Sequence, residues 1–267
     1  MGKTIAIFST KGGVGKTFIA LNLGVSLGYF SGKKVAVVDM DLHAMGDMLR
    51  LLNVSAAKSM LDLASALKTD PKKANLSEFL VSAGKLKVSL LPAVLKPKDA
   101  SLLTEDKIKS VLKYLESQFD YVIIDAGRAF TETLFTVFNH SNLILLTVTP
   151  DVISVYQTKW SLDILQSLHI PLNMIKVVIN RAESVGGVSW QEIRAALPCD
   201  IISRIPSEGR AAGMALNRRV PVVIDSQNAR VSQAINKLAK DLLEKPALFL
   251  EHHEIQAADT HKDVLLK

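Results

Sequence analysis

The stretch Ser9-Thr-Lys-Gly-Gly-Val-Gly-Lys16-Thr17 constrains this chain more than any other. It follows the apolar run Ile5–Phe8 and precedes a helical pattern that begins at Thr17. The glycines Gly12, Gly13 and Gly15 suit a turn in which backbone N–H groups surround an anion. Glycine reaches conformations closed to other residues and leaves no side chain in the anion's path. A helix that starts at the last glycine adds the positive end of its dipole. In a strand–loop–helix of this kind, Lys16 reaches the β- and γ-phosphates of a nucleotide and the Thr17 hydroxyl binds Mg²⁺. The spacing departs from the ordinary G-x-x-x-x-G-K-[ST] pattern. Counting back from Gly15 puts Thr10 at the first position, and a second lysine, Lys11, precedes the glycine pair.

The rest of the chain alternates two periodicities. Short apolar runs occur at Ile5–Phe8, Val35–Val38, Val88–Leu91, Tyr121–Ile124, Leu143–Val148, Lys176–Ile179 and Ile201–Ile205. Continuous β-rich runs of this length suit parallel strands covered on both faces. Helical spacing fills the gaps: Thr17–Phe30, Glu105–Ser117, Ser154–Leu168 (with Trp160, Leu162, Ile164, Leu165 and Leu168 as its apolar set) and Val231–Leu243. Alternation of this kind predicts an α/β fold, a doubly wound and mostly parallel sheet flanked by helices. Residues 55–87 have a helical pattern broken by Ser, Lys and Asp, which reads as a lateral insertion. There is no internal repeat or low-complexity linker, so one domain is expected over 1–244, followed by a loosely packed tail over 245–267.

Composition narrows the function classes. A single cysteine, Cys199, excludes an internal disulfide and a cysteine metal cluster, and it is expected to be an idle buried thiol. No apolar run approaches the length of a bilayer span, about 18–20 residues. The first run is too short for a signal-peptide core, so the cytoplasm is the expected compartment. The net charge of +6 is spread over scattered lysines, with Arg218-Arg219 the one compact arginine pair, and reads as a solvated basic surface.

The combination K-G-G-x-G-K-T over Lys11–Thr17 is a deviant phosphate loop, and with it the chain resembles the MinD/ParA family of deviant Walker A ATPases. Further motifs agree: Val38-Asp39-Met-Asp41 resembles the family's D-x-D motif, and Ile123-Ile124-Asp125-Ala-Gly its Walker B strand. Val178-Ile179-Asn180-Arg181 resembles the strand end whose asparagine reads adenine, and Ile205-Pro206 the segment whose proline packs beside the base. The resemblance spans roughly residues 2–244.

The resemblance implies ATP and ADP as ligands, with Mg²⁺. The nucleotide is expected to be held by Lys11, Gly12, Gly13, Val14, Gly15, Lys16, Thr17, Phe18, Asn180 and Pro206. Thr17 would bind the metal directly, with Asp39 and Asp125 holding metal-bound waters. Catalysis would fall to Lys11, Lys16 and Asp41: Asp41 orients the attacking water, and Lys11 crosses to a partner's phosphates in an ATP-dependent homodimer. The enzyme is then a slow ATP hydrolase, stimulated by a partner, whose output is dimer lifetime. A nucleotide-bound polar scaffold with negligible turnover is the alternative from another class.

Within the family, Val188–Ile193, Ile205–Arg210, Ala215–Val222 and Thr149–Val152 resemble the TadZ/CpaE pilus-assembly branch. That implies a protein partner in a pilus or secretion machine, and recruitment to the inner face of the membrane or a cell pole. Two departures stand out. The chain begins directly at the first ATPase strand, whereas that branch usually carries an N-terminal receiver-like domain. Asp125-Ala-Gly-Arg128 lacks the proline that many relatives have after the acid. A ParA-like reading, non-specific DNA binding through Arg210, Arg218 and Arg219, stays open as an alternative, as does MinD- or flagellar-type positioning. The tail's apolar residues are split and lack a lysine-rich face, which argues against direct membrane anchoring.

Overall fold

The structure is a computed structural model that describes residues 2–42, 46–71, 74–82 and 84–250. Among the described residues eight strands form one sheet: β1 (Lys3–Phe8), β2 (Val35–Asp39), β3 (Val81–Ser82), β4 (Val88–Pro92), β5 (Tyr121–Asp125), β6 (Leu143–Val148), β7 (Ile175–Ala182) and β8 (Ile201–Pro206). Their order is β3-β4-β2-β5-β1-β6-β7-β8, and every pairing is parallel except that of β3 with β4. The expected doubly wound sheet is what forms. The seven expected strands are all present; Leu143–Val148 has the bounds expected and the other six are extended by one to four residues. The two-residue β3 has no periodicity to betray it.

The strands are buried on both faces, and the alternation of side chains sorts them into two layers. Ala6, Phe8, Val122, Ile124, Ile144 and Leu146 point into one core; Ile5, Ile7, Tyr121, Ile123, Leu143 and Leu145 point into the other. The first core is closed by α3 (Met60–Thr69), α4 (Glu105–Gln118), α5 (Glu132–Asn139), α6 (Val152–Ser167) and α7 (Trp190–Ala196). The second is closed by α1 (Lys16–Val25), α2 (Asp47–Leu52), α8 (Gly209–Arg218), α9 (Val222–Asp225) and α10 (Arg230–Glu244). Complete burial of a Leu, Ile or Phe side chain contributes about 1.5–3 kcal/mol, so these two layers dominate the fold's stability.

Four expectations change. Residues 55–87 are not a lateral insertion: α3 buries Met60, Leu63, Ala64 and Leu67 in the first core and packs on α4. Its i, i+3, i+4, i+7 spacing is that of a core-facing helix. In α6, Trp160 lies on the outer face, half exposed beside Val152, Ile153 and Tyr156, while Leu162 and Leu165 carry the packing. The helix expected to reach Phe30 is α-helical only to Val25, and Ser26–Phe30 form a wider π-helical turn. The segment expected to be a loose tail opens with a docked stretch. The Leu250 amide donates to the Asn142 carbonyl at 3.0 Å, and Leu248 and Phe249 rest on the second core. The remainder of that tail, with the residues on which its membrane reading rested, lies outside the described residues.

Candidate functional site

Strand order reverses at β1, which has β5 on one side and β6 on the other. Ligands of open α/β sheets bind at the carboxyl edge beside such a reversal. The phosphate loop leaves β1 there. Gly15 caps α1 with φ +95°, a conformation that a residue with a Cβ adopts only under strain. The Ile19 amide makes the first helical bond, to the Gly15 carbonyl at 2.9 Å. The amides of Lys16, Thr17 and Phe18 therefore sit in the turn that helices leave for an anion. The Phe18 ring itself packs against the second core.

Lys16 is 6% exposed, and burial holds its ammonium below the usual lysine value. The Asp125 and Asp41 carboxylates oppose that shift, and the Arg128 guanidinium adds to it. Asp39 and Asp125 are register partners at the ends of adjacent strands, which brings two carboxylates side by side. The Thr17 hydroxyl donates to Asp125 Oδ2, and the Asp41 amide donates to Asp39 Oδ1 at 3.3 Å. Burial, then the neighbouring Asp125, pushes the Asp39 carboxyl up to about 7. Burial pushes Asp125 up to about 6 against the pull of the Thr17 hydrogen bond and of Lys16.

Two acidic oxygens, Asp39 Oδ2 and Asp125 Oδ1, are buried with no hydrogen-bond partner among the described residues. Unpaired buried carboxylate oxygens beside a threonine hydroxyl are a donor set suited to a hard divalent cation. Among the described residues there is no cluster of three or more His, Cys, Asp or Glu side chains able to hold a metal alone. An ion such as Mg²⁺ takes much of its shell from water and phosphate rather than from side chains.

Two clefts flank the loop. One, of about 350 Å³, is lined by Gly12, Gly13, Gly15, Lys16, Thr17, Asp41, Asp47 and Arg128. The other, of about 510 Å³, runs between Lys11–Val14 and the segments Thr149–Asp151 and Arg181–Gly187. Asn180 stands under the loop, its Nδ2 donating to the Val14 carbonyl at 2.7 Å. Pro206 ends β8 opposite Ala182 and lines neither cleft. Lys11 Nζ reaches across the second cleft to Asp151 Oδ2 at 2.6 Å. Asp151 also caps α6, accepting from the Ser154 amide at 2.9 Å. Partial burial pushes the Asp151 carboxyl up, but the bonds from Lys11, Thr149 and Ser154 outweigh it and hold the group below the usual carboxylate range.

Asp151 and Arg128 are the site residues that motif spacing did not single out for these contacts. Asp151 lies 140 residues from Lys11 in sequence, so only the adjacency of β1 and β6 brings them together. Among the arginines of the DNA reading, Arg218 is paired with Asp225 at 3.1 Å and Arg219 donates to Asn53. Arg210 has no hydrogen bond or ion pair among the described residues.

A deviant phosphate loop at the reversal point of a mostly parallel sheet, with a threonine and two buried carboxylates beside it, defines a P-loop nucleotide-binding protein. Residues 2–175 match the model of the AAA domain family. The septum site-determining protein MinD of Thermotoga maritima is 28% identical over 246 residues, covering 90% of this chain and 88% of that one. The ParA family ATPase of Chlorobium tepidum has a TM-score of 0.83 at 21% identity, over 90% of this chain and 99% of that one. MinD of Pyrococcus horikoshii, solved with Mg-ADP, has a TM-score of 0.77 at 23% identity, over 92% and 98%. The chain belongs to the AAA domain family and, within it, to the MinD/ParA ATPases. Among the described residues no helix is long and apolar enough to cross a membrane.

Proposed function

We propose that this protein is an ATP-dependent dimerising switch that positions a cellular machine, and that its own hydrolysis sets how long the dimer lasts. The observation that carries the reading is the convergence of Lys16, Thr17, Asp39 and Asp125 on the phosphate loop, with two carboxylate oxygens left for a cation. Lys16 and the amides at the start of α1 hold the phosphates. Thr17, Asp39 and Asp125 would hold Mg²⁺ directly or through water, and the ion would neutralise charge on the phosphates. Asp41, on the same cleft, orients the attacking water. Asn180 and Pro206 border the base. Lys11 leaves Asp151 when a second copy presents its phosphates, so triphosphate holds the pair together and its loss releases it.

Two variants test this. Lys16→Ala abolishes nucleotide binding by calorimetry; unchanged affinity refutes the loop assignment. Asp41→Ala accumulates an ATP-bound dimer in sedimentation velocity, and a variant that stays monomeric with ATP refutes the switch.

The cargo reading is finer. Val188–Ile193, Ile205–Arg210 and Ala215–Val222 favour the TadZ/CpaE branch, hence a pilus or secretion machine at a pole or the inner face of the membrane, with the protein itself in the cytoplasm. Under that reading a strain carrying Lys16→Ala loses surface pili while septum placement and DNA segregation stay normal. The pairing of Arg218 with Asp225 leaves DNA as the weaker reading.

A further inference from the structure

The cation in the phosphate cleft that none of the assigned roles uses is Arg128. It follows Gly127, whose φ of +71° is a left-handed conformation that favours glycine. A Cβ on Gly127 would sit 3.4 Å from the Asp41 Cα, so the turn lies directly against the D-x-D segment. Arg128 Nη1 lies so near Gly12 that a Cβ there would be 3.4 Å from it. The guanidinium therefore lies beside Gly12, the first glycine of the phosphate loop, in the cleft it shares with Lys16, Thr17 and Asp41. It has no hydrogen bond or ion pair among the described residues, and its side chain is exposed. Its positive charge also works against the ammonium of Lys16. Two cations converging on one set of backbone amides without an acidic partner for the second make a site that an anion completes. A guanidinium offers several donors in a planar fork that matches a phosphoryl group.

From this geometry we infer that Arg128 contacts the terminal phosphoryl group of a bound nucleoside triphosphate from within the same chain, so that the site distinguishes triphosphate from diphosphate before any second copy arrives. The inference rests on the ATPase reading above and adds a residue to it. In the hydrolysis that follows, the water oxygen bonds to the γ-phosphorus as the bridging P–O bond to the β-phosphate breaks. The electron pair of that bond leaves on ADP, and the protons of the water pass to the phosphate product and solvent. Arg128 stays protonated throughout and stabilises the charge that gathers on the γ-oxygens and the bridging oxygen.

The test compares the full chain with Arg128→Ala and Arg128→Lys, each with Mg²⁺, by calorimetry with ADP and with the slowly hydrolysed triphosphate ATPγS, and by single-turnover phosphate release from ATP. Arg128→Ala is expected to bind ADP as the parent does and to lose its preference for ATPγS. It should release phosphate about 10²–10³-fold more slowly, the cost of removing one aimed donor at a developing anion. Arg128→Lys keeps part of the ATPγS preference, since charge survives, and less of the rate, since the fork does not. If Arg128→Ala matches the parent in both measurements, or loses ADP and ATPγS affinity equally, the inference is overturned and the ATPase reading stands. If the parent itself binds neither nucleotide, the ATPase reading fails and this inference falls with it.

Discussion

Gly15 and Asn180 form a small lock whose strength can be worked out and measured. Gly15→Ala does two things. It forces an alanine to φ +95°, and it places a Cβ 2.4 Å from Asn180 Nδ2, far inside contact distance. The first effect costs about 1–3 kcal/mol, the usual range for a residue held in a sparsely populated backbone region. The second pushes away the amide that donates to the Val14 carbonyl at 2.7 Å. Asn180 is only 6% exposed, so displacing it strands a buried polar group, at about 1–3 kcal/mol. Gly13→Ala isolates the first effect, because Gly13 also has positive φ, +73°, but has nothing within 4 Å of its Cβ position. Urea unfolding should rank Gly15→Ala well below Gly13→Ala, and the difference should vanish in an Asn180→Ala background. The double-mutant cycle should return a coupling of about 1–3 kcal/mol between positions 15 and 180. Equal costs at the two glycines, or additive effects of Gly15→Ala and Asn180→Ala, would refute the claim that the asparagine props the loop.

Three further outcomes are expected. Asp151→Asn keeps the cap on α6 and removes the charge that holds Lys11; an exposed pair is worth about 0.2–1 kcal/mol. With two copies released per dimer, the ATP-bound dimer should tighten about 2–30-fold by sedimentation, and an unchanged or weaker dimer contradicts the latch. The raised Asp39 and Asp125 favour their protonated forms in the folded chain. Their contribution to metal-free stability is therefore present in acid and lost as pH climbs through about 6 and about 7. Mg²⁺ with ADP should accordingly raise the melting temperature more at pH 8 than at pH 5.5, whereas a pH-independent shift argues against metal at these acids. Cys199 is buried, which pushes its thiol up to about 11, so a disulfide reagent at pH 8 should react with it only after unfolding.

Strands and loop were legible because both are local. A run such as Leu143–Val148 is buried on both faces, and its length and β-rich content between turn signals suit a central parallel strand. The phosphate loop is contiguous, so its glycines and lysines read in one line. The helix α3 was legible as a helix but not as core, because its Ser, Lys and Asp residues mask a four-residue apolar edge. The short helix α2 escaped because it buries a single residue fully, Met48. The pairing of Lys11 with Asp151 and the approach of Arg128 to Gly12 depend on which strands are neighbours, and no window of sequence holds that information.

The in-register pairing of Asp39 with Asp125, and of Asp125 with Ile7 just ahead of the loop, ties nucleotide binding to the assembly of the sheet. A slip of one residue in β5 turns every side chain of that strand to the opposite face, and Asp125 with it. Such a misaligned sheet would still be apolar and compact, yet it would have no acid to meet Thr17. Bound nucleotide therefore adds its binding free energy only to the one alignment that places three strands correctly. The ligand acts as a proofreader of the chain's own topology, rewarding the right register long after the hydrophobic layers have ceased to discriminate.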